Sequence, residues 1–476
     1  MNRSFWRPFL ILGTAVLLIS IVFRLLPDWD NQVFPIKRMD WLEELLRVFF
    51  PPEMEEPQTA EEEAPVENET VPLRTFTAKL AQLKAEGQGN IRIAHYGDSI
   101  IEGDLITGKL RELLQSEYGG SGVGLVPITS IVSDFRMTIG HRFSRNWESR
   151  SFANRGSYDV PLGMIGYTFI PRNYYLAETV IKVEPKIAVP DSLQADSVRV
   201  AAPATKAKKE TRRIAVAGPA WVEYYGTDNP GGAPQFRRIR LFYSQASAKS
   251  RIRAAFDGKP SQTFQLQAEE GIQVLDLSAG GPVNKVRLEF DPRDPIHVYG
   301  VSFDDTDGVY VDNHAVRGYT GMYFNALPQE HMAGFQEHLD YDLIMLQYGL
   351  NVSQPKARDY DDYKTMMIRS VQHIQAALPD VPILIIGVHD RGIRQAGVFQ
   401  TSPDIPLLVN TQAEIAAATG CAFWNVYEAM GGLNSMLEYV NAKPPLANTD
   451  YTHFNLAGAN KIAAMLYETL TGGGAK

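Results

Sequence analysis

The chain has 476 residues, 45% of them hydrophobic, with 38 glycines, 29 prolines and one cysteine. That is apolar material for more than one packed unit, and a single cysteine excludes a scaffold stapled by internal disulfides. The formal charge of -9 comes almost wholly from residues 51–70, which hold eight glutamates and no lysine or arginine; setting those eight aside leaves -1, with no basic footprint for nucleic acid.

In chain order, Phe9 to Phe23 is poor in polar residues and continues through Leu25 and Leu26, with Arg3 and Arg7 ahead of it. At roughly 18 residues it sits at the short end of a membrane span. The basic flank predicts a cytoplasmic N-terminus with the remainder outside, and Leu25-Leu26-Pro27-Asp28 offers no small-x-small cleavage site. A retained anchor within residues 1–30 is therefore expected, holding the rest of the chain at the periplasmic side of the inner (cytoplasmic) membrane of a bacterium. Residues 31–74 read as an acidic, self-repelling Pro/Glu-rich linker. Within it, Asp40 to Phe50 has two equal readings, an amphipathic helix near the bilayer or a plain spacer.

Ile91 to Tyr96 reads as a strand ending in Gly97-Asp98-Ser99, and Leu105 to Tyr118 as a helix. The glycine-rich Gly119 to Gly124 lacks the Gly-Lys-Ser/Thr ending of a phosphate loop and is read as a loop flanking the site. Lys186 to Arg213 is expected to be a mobile loop. From Ala215 to Ser302 short strand-like pieces recur between Gly, Pro, Asp and Asn: Trp221 to Tyr225, Arg238 to Tyr243, Thr263 to Leu266, Ile272 to Leu275, Lys285 to Phe290 and His297 to Phe303. That is a β-sandwich pattern, and Trp221, Tyr224 and Tyr225 are its candidate sugar-stacking aromatics, although in a sandwich strand at least half of such aromatics should be core. Beyond it, Gly308 to Val311, Asp342 to Tyr348, Val381 to Val388 and Ala422 to Val426 read as apolar strands, and Tyr360 to Leu378, Ile405 to Thr419 and Leu456 to Leu470 as helices. Alternating β and α with apolar strands implies a parallel sheet covered on both faces.

Ser99 and the Asp450-Tyr451-Thr452-His453 segment offer a nucleophile, a base and an acid that orients the base. Asn351 follows the Asp342 to Tyr348 strand at its C-terminal edge, where open α/β sheets keep their sites. Gly318, in Asn313 to Thr320, permits close approach of a backbone N–H. No Gly-x-Ser-x-Gly surrounds Ser99, which argues against an α/β-hydrolase. His389-Asp390, His331 and His338 lack companions at metal-ligand spacing, and Cys421 reads as core filler.

These four segments, in this order, resemble the four blocks of the SGNH (GDSL-type) hydrolases: Ser99 in Gly-Asp-Ser, Gly318 in the second block, Asn351 in Gly-x-Asn and His453 in Asp-x-x-His. Ile100 stands where many members carry leucine, and no aspartate follows Asn351; neither position supplies catalytic atoms. The resemblance implies a three-layer α/β hydrolase over residues 75–180 and 301–476, interrupted at 181–300 by an inserted β-sandwich similar to a carbohydrate-binding module. It implies Ser99 as nucleophile, His453 as base and then acid, Asp450 as its orienting residue, and the Ser99 and Gly318 N–H groups with the Asn351 amide as oxyanion donors. No cofactor or metal is called for. The implied activity is removal of acetyl from a cell-envelope glycan such as peptidoglycan; transfer of acetyl to a glycan hydroxyl by the same residues, supplied by a membrane acyltransferase partner, stays open.

Overall fold

The computed structural model describes residues 71–153, 160–182, 207–395 and 397–472. The expected anchor, the acidic linker up to residue 70 and most of the expected loop at 186–213 lie outside them. Among the described residues no helix is long and apolar enough to cross a membrane.

The described chain opens with helix α1 (Val71–Glu86), which begins inside the stretch expected as linker, then strand β1 (Asn90–Gly97) and helix α2 (Leu105–Tyr118). A long run of strands follows: β2 (Gly124–Val126), β3 (Gly140–Phe143), β4 (Trp147–Ser151), β5 (Tyr167–Pro171), β6 (Tyr174–Lys182), β7 (Ala207–Ala215), β8 (Ala220–Tyr225), β9 (Arg238–Ser244), β10 (Arg251–Phe256), β11 (Gln262–Gln265), β12 (Gln273–Asp276), β13 (Lys285–Phe290) and β14 (His297–Asp304). The α/β pattern resumes with β15 (Gly308–Ala315), α3 (Gln329–Leu339), β16 (Tyr341–Gln347), α4 (Asp361–Ala377) and β17 (Ile383–Ile386). It ends with β18 (Gly392–Gln395), β19 (Val398–Thr401), α5 (Ile405–Thr419), β20 (Ala422–Trp424), α6 (Val426–Met430), α7 (Ser435–Asn441) and α8 (Leu456–Thr471).

Five parallel strands form the sheet expected for a hydrolase core, in the order β15-β1-β16-β17-β20. Successive side chains point to opposite faces of a strand, and both faces here are apolar. Ala94 and Tyr96 of β1, Ile344 and Leu346 of β16 and Ile383 and Ile385 of β17 join one buried cluster that includes α4 and α5. Ile91, Ile93, Leu343, Met345, Leu384 and Ile386 join the other, under α1, α2 and α8. The helices supply matching stripes: α2 buries Ile106, Leu110 and Leu114 at i, i+4, i+8. Helix α8 starts where the Asn455 side chain accepts the Gly458 N–H.

The inserted domain is a sandwich of antiparallel sheets, β11-β10-β13-β8-β3 and β12-β9-β14-β5-β4 with β2 paired to β14. All six strand-like pieces between Ala215 and Phe303 are strands, but the sheets also recruit β2 to β5, from residues 124–171. The sandwich therefore starts well before residue 181, and much of the stretch expected as first hydrolase segment belongs to it. These four strands are three to five residues long, so each carries little period-2 signal by itself. Residues 207–213, expected in a loop, form β7 and pair with β6.

Tyr224 is fully buried, its ring stacked on His141 and its hydroxyl donating to Pro127 O, so it is a core residue and no sugar platform. One face of the Trp221 ring is covered by the Arg287 guanidinium at 4.0 Å. The glycine-rich loop also departs from expectation. Gly120 packs against Gly308 and Val309 at the start of β15, the end of the sheet remote from Ser99.

Four buried histidines make the fold sensitive to acid. Burial pushes His95, His314 and His389 down to about 4 and His141 down to about 3. Unfolded, they titrate near 6.5, so below that value the unfolded chain binds protons that the native one refuses. Stability is fully present above about pH 6.5 and is lost as pH falls toward 4, by on the order of 2 kcal/mol per histidine at pH 5. Burial also raises the Asp98 carboxyl, to about 6, and those of Asp342 and Asp390, which works the other way. The melting temperature is expected to fall by several degrees from pH 7 to pH 5 in a calorimetric series. A flat profile would mean that these histidines are hydrated in solution.

Candidate active site

Three adjacent strands end at one edge. β1 runs into Ser99, β15 on one side of it into Gly318, and β16 on the other into Asn351. The chain passes from β15 over β1 to β16, so Ser99 stands where the strand order reverses, the crevice in which open α/β sheets place their ligands. The Val316 N–H donates to Gly97 O at 2.9 Å, tying the second block to the first.

The loop before α8 delivers the base. His453 Nε2 lies 3.2 Å from Ser99 Oγ, and His453 Nδ1 lies 2.8 Å from Asp450 Oδ2. With Asp450 ionised, Nδ1 carries the proton and donates it to the carboxylate, leaving Nε2 to accept from the serine hydroxyl. Asp450 is further fixed because its Oδ1 accepts the backbone N–H of Thr452 and of His453, each at 3.0 Å. Partial burial pushes its carboxyl up, but these hydrogen bonds win and hold it below the usual carboxylate range. The i, i+3 spacing requires a tight turn, and Tyr451 takes the left-handed region at φ 54° to close it. That turn is braced from outside: Phe399 on β19 stacks on the Tyr451 ring at 3.8 Å, and the Gly392 N–H donates to Tyr451 O at 2.8 Å. Behind it, buried His389 donates from Nε2 to Thr452 O at 2.8 Å.

Of the expected oxyanion donors, Gly318 follows β15 and Asn351 follows β16, the two strands that flank β1. Gly318 has φ 75°, a conformation that favours glycine, with open space where a side chain would stand. The Asn351 amide nitrogen donates to Asp98 Oδ2 at 2.7 Å and to Tyr319 O at 3.1 Å. Both its protons are engaged, and one must be shared or released before the amide meets a substrate oxyanion. Asp98, the middle residue of Gly-Asp-Ser, thereby links the nucleophile turn to the third block, its other oxygen accepting the Ile100 N–H at 3.0 Å. Sequence reading passed over Asp98 because its motif singles out the serine.

A second unread residue is Asp104, which follows Ser99 by five positions and sits at φ 69°. Its buried carboxylate accepts from Arg111, Arg136, Thr107 and Thr138. Burial opposes the charge, yet the two guanidinium groups hold the carboxyl far below its ordinary value. Because Arg136 and Thr138 come from the loop after β2, this cluster pins the nucleophile turn to the sandwich. A carboxylate followed seven residues later by arginine was its only trace in the sequence. Cys421 stands at the start of β20, at the far end of the sheet from Ser99, and among the described residues no group of three His, Cys, Asp or Glu is arranged to hold a metal ion.

No protein-family model and no curated protein sequence matches the chain. Solved structures do. A peptidoglycan O-acetylesterase superposes with a TM-score of 0.60 at 21% identity, over 84% of this chain and 95% of that one. A family two carbohydrate esterase from Cellvibrio japonicus matches over 54% of this chain and 90% of that one at 11% identity, and an acetyl xylan esterase over 34% and 81% at 15% identity. Their TM-scores of 0.24 and 0.25 are too low to carry an argument. The first match shows the fold, parallel sheet and sandwich together; in its parallel sheet and in its four blocks meeting at one sheet edge, the chain resembles the SGNH hydrolases.

Proposed function

We propose that the protein is a serine esterase that removes O-acetyl groups from a cell-envelope glycan such as peptidoglycan. The observation that carries this reading is the Ser99–His453–Asp450 relay, with contacts of 3.2 and 2.8 Å. Ser99 Oγ attacks the ester carbonyl carbon as its proton passes to His453 Nε2, and the oxyanion forms beside the Ser99 and Gly318 N–H groups and the Asn351 amide. As the carbonyl re-forms, the sugar oxygen leaves with the proton from His453. Water then attacks the acetyl-serine, giving its proton to His453, and acetate leaves as Ser99 recovers a proton. The test is acetate release from a chromogenic acetyl ester and from O-acetylated peptidoglycan, lost in Ser99→Ala.

The remaining parts of the reading concern location. We place the enzyme outside the cytoplasmic membrane, tethered by the apolar segment near residues 9–26, on the basis of the basic flank and the acidic linker. The sandwich would hold polymer near the site without taking part in the chemistry, since every residue of the relay lies outside it.

Asn351→Ala is expected to lower kcat by roughly 10²–10³ with little change in KM, because an oxyanion donor acts mainly in the transition state. Steady-state kinetics with the chromogenic ester decides this. A variant that kept its turnover and lost stability would show that the Asp98 and Tyr319 contacts of Asn351 are its whole role.

A further inference from the structure

The hairpin of β18 and β19 forms a sheet of its own, and Val398 at its far end is 67% exposed. Two strands alone are marginally stable at best, so such a hairpin depends on what it packs against. Its foot is fixed. The Thr401 N–H donates to Asn434 Oδ1 at 3.0 Å and the Asn434 N–H to Thr401 Oγ1 at 2.6 Å, just ahead of α7, whose Met436 and Tyr439 lie in the buried cluster under α8. In the register of the hairpin Gly392 faces Thr401 and Arg394 faces Phe399, which puts Gly392 and Phe399 on one face. That face meets the turn that carries the base.

Three contacts converge there on Tyr451. The Gly392 N–H donates to Tyr451 O at 2.8 Å. A Cβ on Gly392 would lie 2.9 Å from Tyr451 Cβ, closer than side chains approach, and Gly392 does not take a positive φ, so its lack of a side chain answers to space alone. The Phe399 ring lies within 10° of parallel to the Tyr451 ring, with centroids 3.8 Å apart. Tyr451 is the residue of this turn in need of support. Its φ of 54° is unfavourable for any residue with a Cβ, and it stands between Asp450 and His453, whose spacing sets the direction of the imidazole. The contact of His453 Nε2 with Ser99 Oγ, at 3.2 Å, has little slack before it ceases to be a hydrogen bond.

We infer that Phe399 is a positioning residue: by stacking on Tyr451 it holds the left-handed turn that presents His453 to Ser99. The inference rests on the esterase reading for what His453 does, and adds how the base is kept in place. Phe399 acts through Tyr451 and needs no contact with substrate.

Phe399→Ala is expected to lower kcat for the chromogenic acetyl ester by about 10-fold with KM within about twofold of the parent, the size of effect that one aromatic pair supplies. Phe399→Tyr, which keeps the ring, should restore kcat to within about twofold. Gly392→Ala should reproduce the loss by pushing the hairpin off the turn, and it carries the test if Phe399→Ala does not fold. Tyr451→Gly removes the ring and takes the left-handed region freely, so adding Phe399→Ala to it should cost less than about twofold more. An unchanged kcat in both Phe399→Ala and Gly392→Ala, a loss confined to KM, or a full further loss in the Tyr451→Gly background overturns the inference. A second readout needs no turnover. The His453 Nδ1 proton, followed by NMR as the downfield resonance that His453→Gln removes, should exchange with water about 5-fold faster or more in Phe399→Ala, because the turn opens more often. Absence of that protected proton from the parent, or equal exchange in the two proteins, overturns the brace. Faster exchange in Phe399→Ala supports it even if the parent releases no acetate, a result that would sink the esterase reading alone.

Discussion

Ser99→Ala is expected to lower acetyl-ester turnover by on the order of 10⁵–10⁶ without unfolding the protein, because a triad acts as a unit and its nucleophile is the covalent route. Ser99 donates its hydroxyl to His453 at the surface of the crevice, and no buried partner is orphaned when that oxygen is removed. Asp450→Asn should cost less, about 10⁴, for a different reason. An amide there offers His453 Nδ1 a donor or a weaker acceptor, so Nε2 no longer stays free to receive the serine proton. It also weakens the turn, since Asp450 Oδ1 holds the Thr452 and His453 N–H groups. Part of the Asp450→Asn loss should therefore appear as lower stability, whereas the Ser99→Ala loss should not. Turnover and melting temperature measured on the same preparations separate the two. Ser99→Ala with parental turnover would remove Ser99 from the chemistry.

The site was legible in the sequence because each block is local. Gly97-Asp98-Ser99 follows an apolar run, Gly349-Leu350-Asn351 follows another, and Asp450 with His453 fit in one turn, so residue type and neighbouring periodicity sufficed. Six of the seven strands between residues 220 and 304 were legible for the same reason, being bounded by turn residues; β10 (Arg251–Phe256) was not. What escaped is long-range. Nothing local reports that β2 pairs with β14 across about 180 residues of chain, so the sandwich appeared to start too late. Nor does a period of two tell which face of β8 is buried once both its neighbours, β3 and β13, are known. Tyr224, one of three candidate platforms of which at least half were expected in the core, fills the core. Asp98 and Asp104 escaped because their partners come from other segments: Asn351 for the first, Arg136 and Thr138 for the second.

The junction between hydrolase sheet and sandwich carries the largest expected effect on stability. Arg92 on β1 is 3% exposed. Its Nη1 donates to both oxygens of Asp312 on β15, at 2.8 and 2.9 Å, and its Nη2 to Asp304 on β14, a sandwich strand. Arg240 on β9 shares Asp304 at 2.7 Å, and Asp312 also accepts the Leu125 N–H of β2 and the Tyr341 hydroxyl of β16. One guanidinium thus joins both layers. Burial opposes the charge on Asp312, and Arg92 more than offsets it, so the carboxyl stays below its ordinary value. Replacing Arg92 by methionine keeps most of the volume but leaves Asp312 buried without its cation, a loss of about 3–5 kcal/mol when one partner of a buried pair is removed. The deficit should shrink as the pH is lowered from 7 to 5, because the stranded carboxyl gains stability by taking a proton that the paired one refuses. Adding Asp312→Asn should recover more than half of it, since an amide oxygen still accepts the Leu125 N–H while its nitrogen can donate to the Tyr341 oxygen. Urea unfolding of the two single variants and the double variant at both pH values measures these energies. A cost for Arg92→Met below about 1 kcal/mol, independent of pH, would mean that the two layers are held by apolar packing alone.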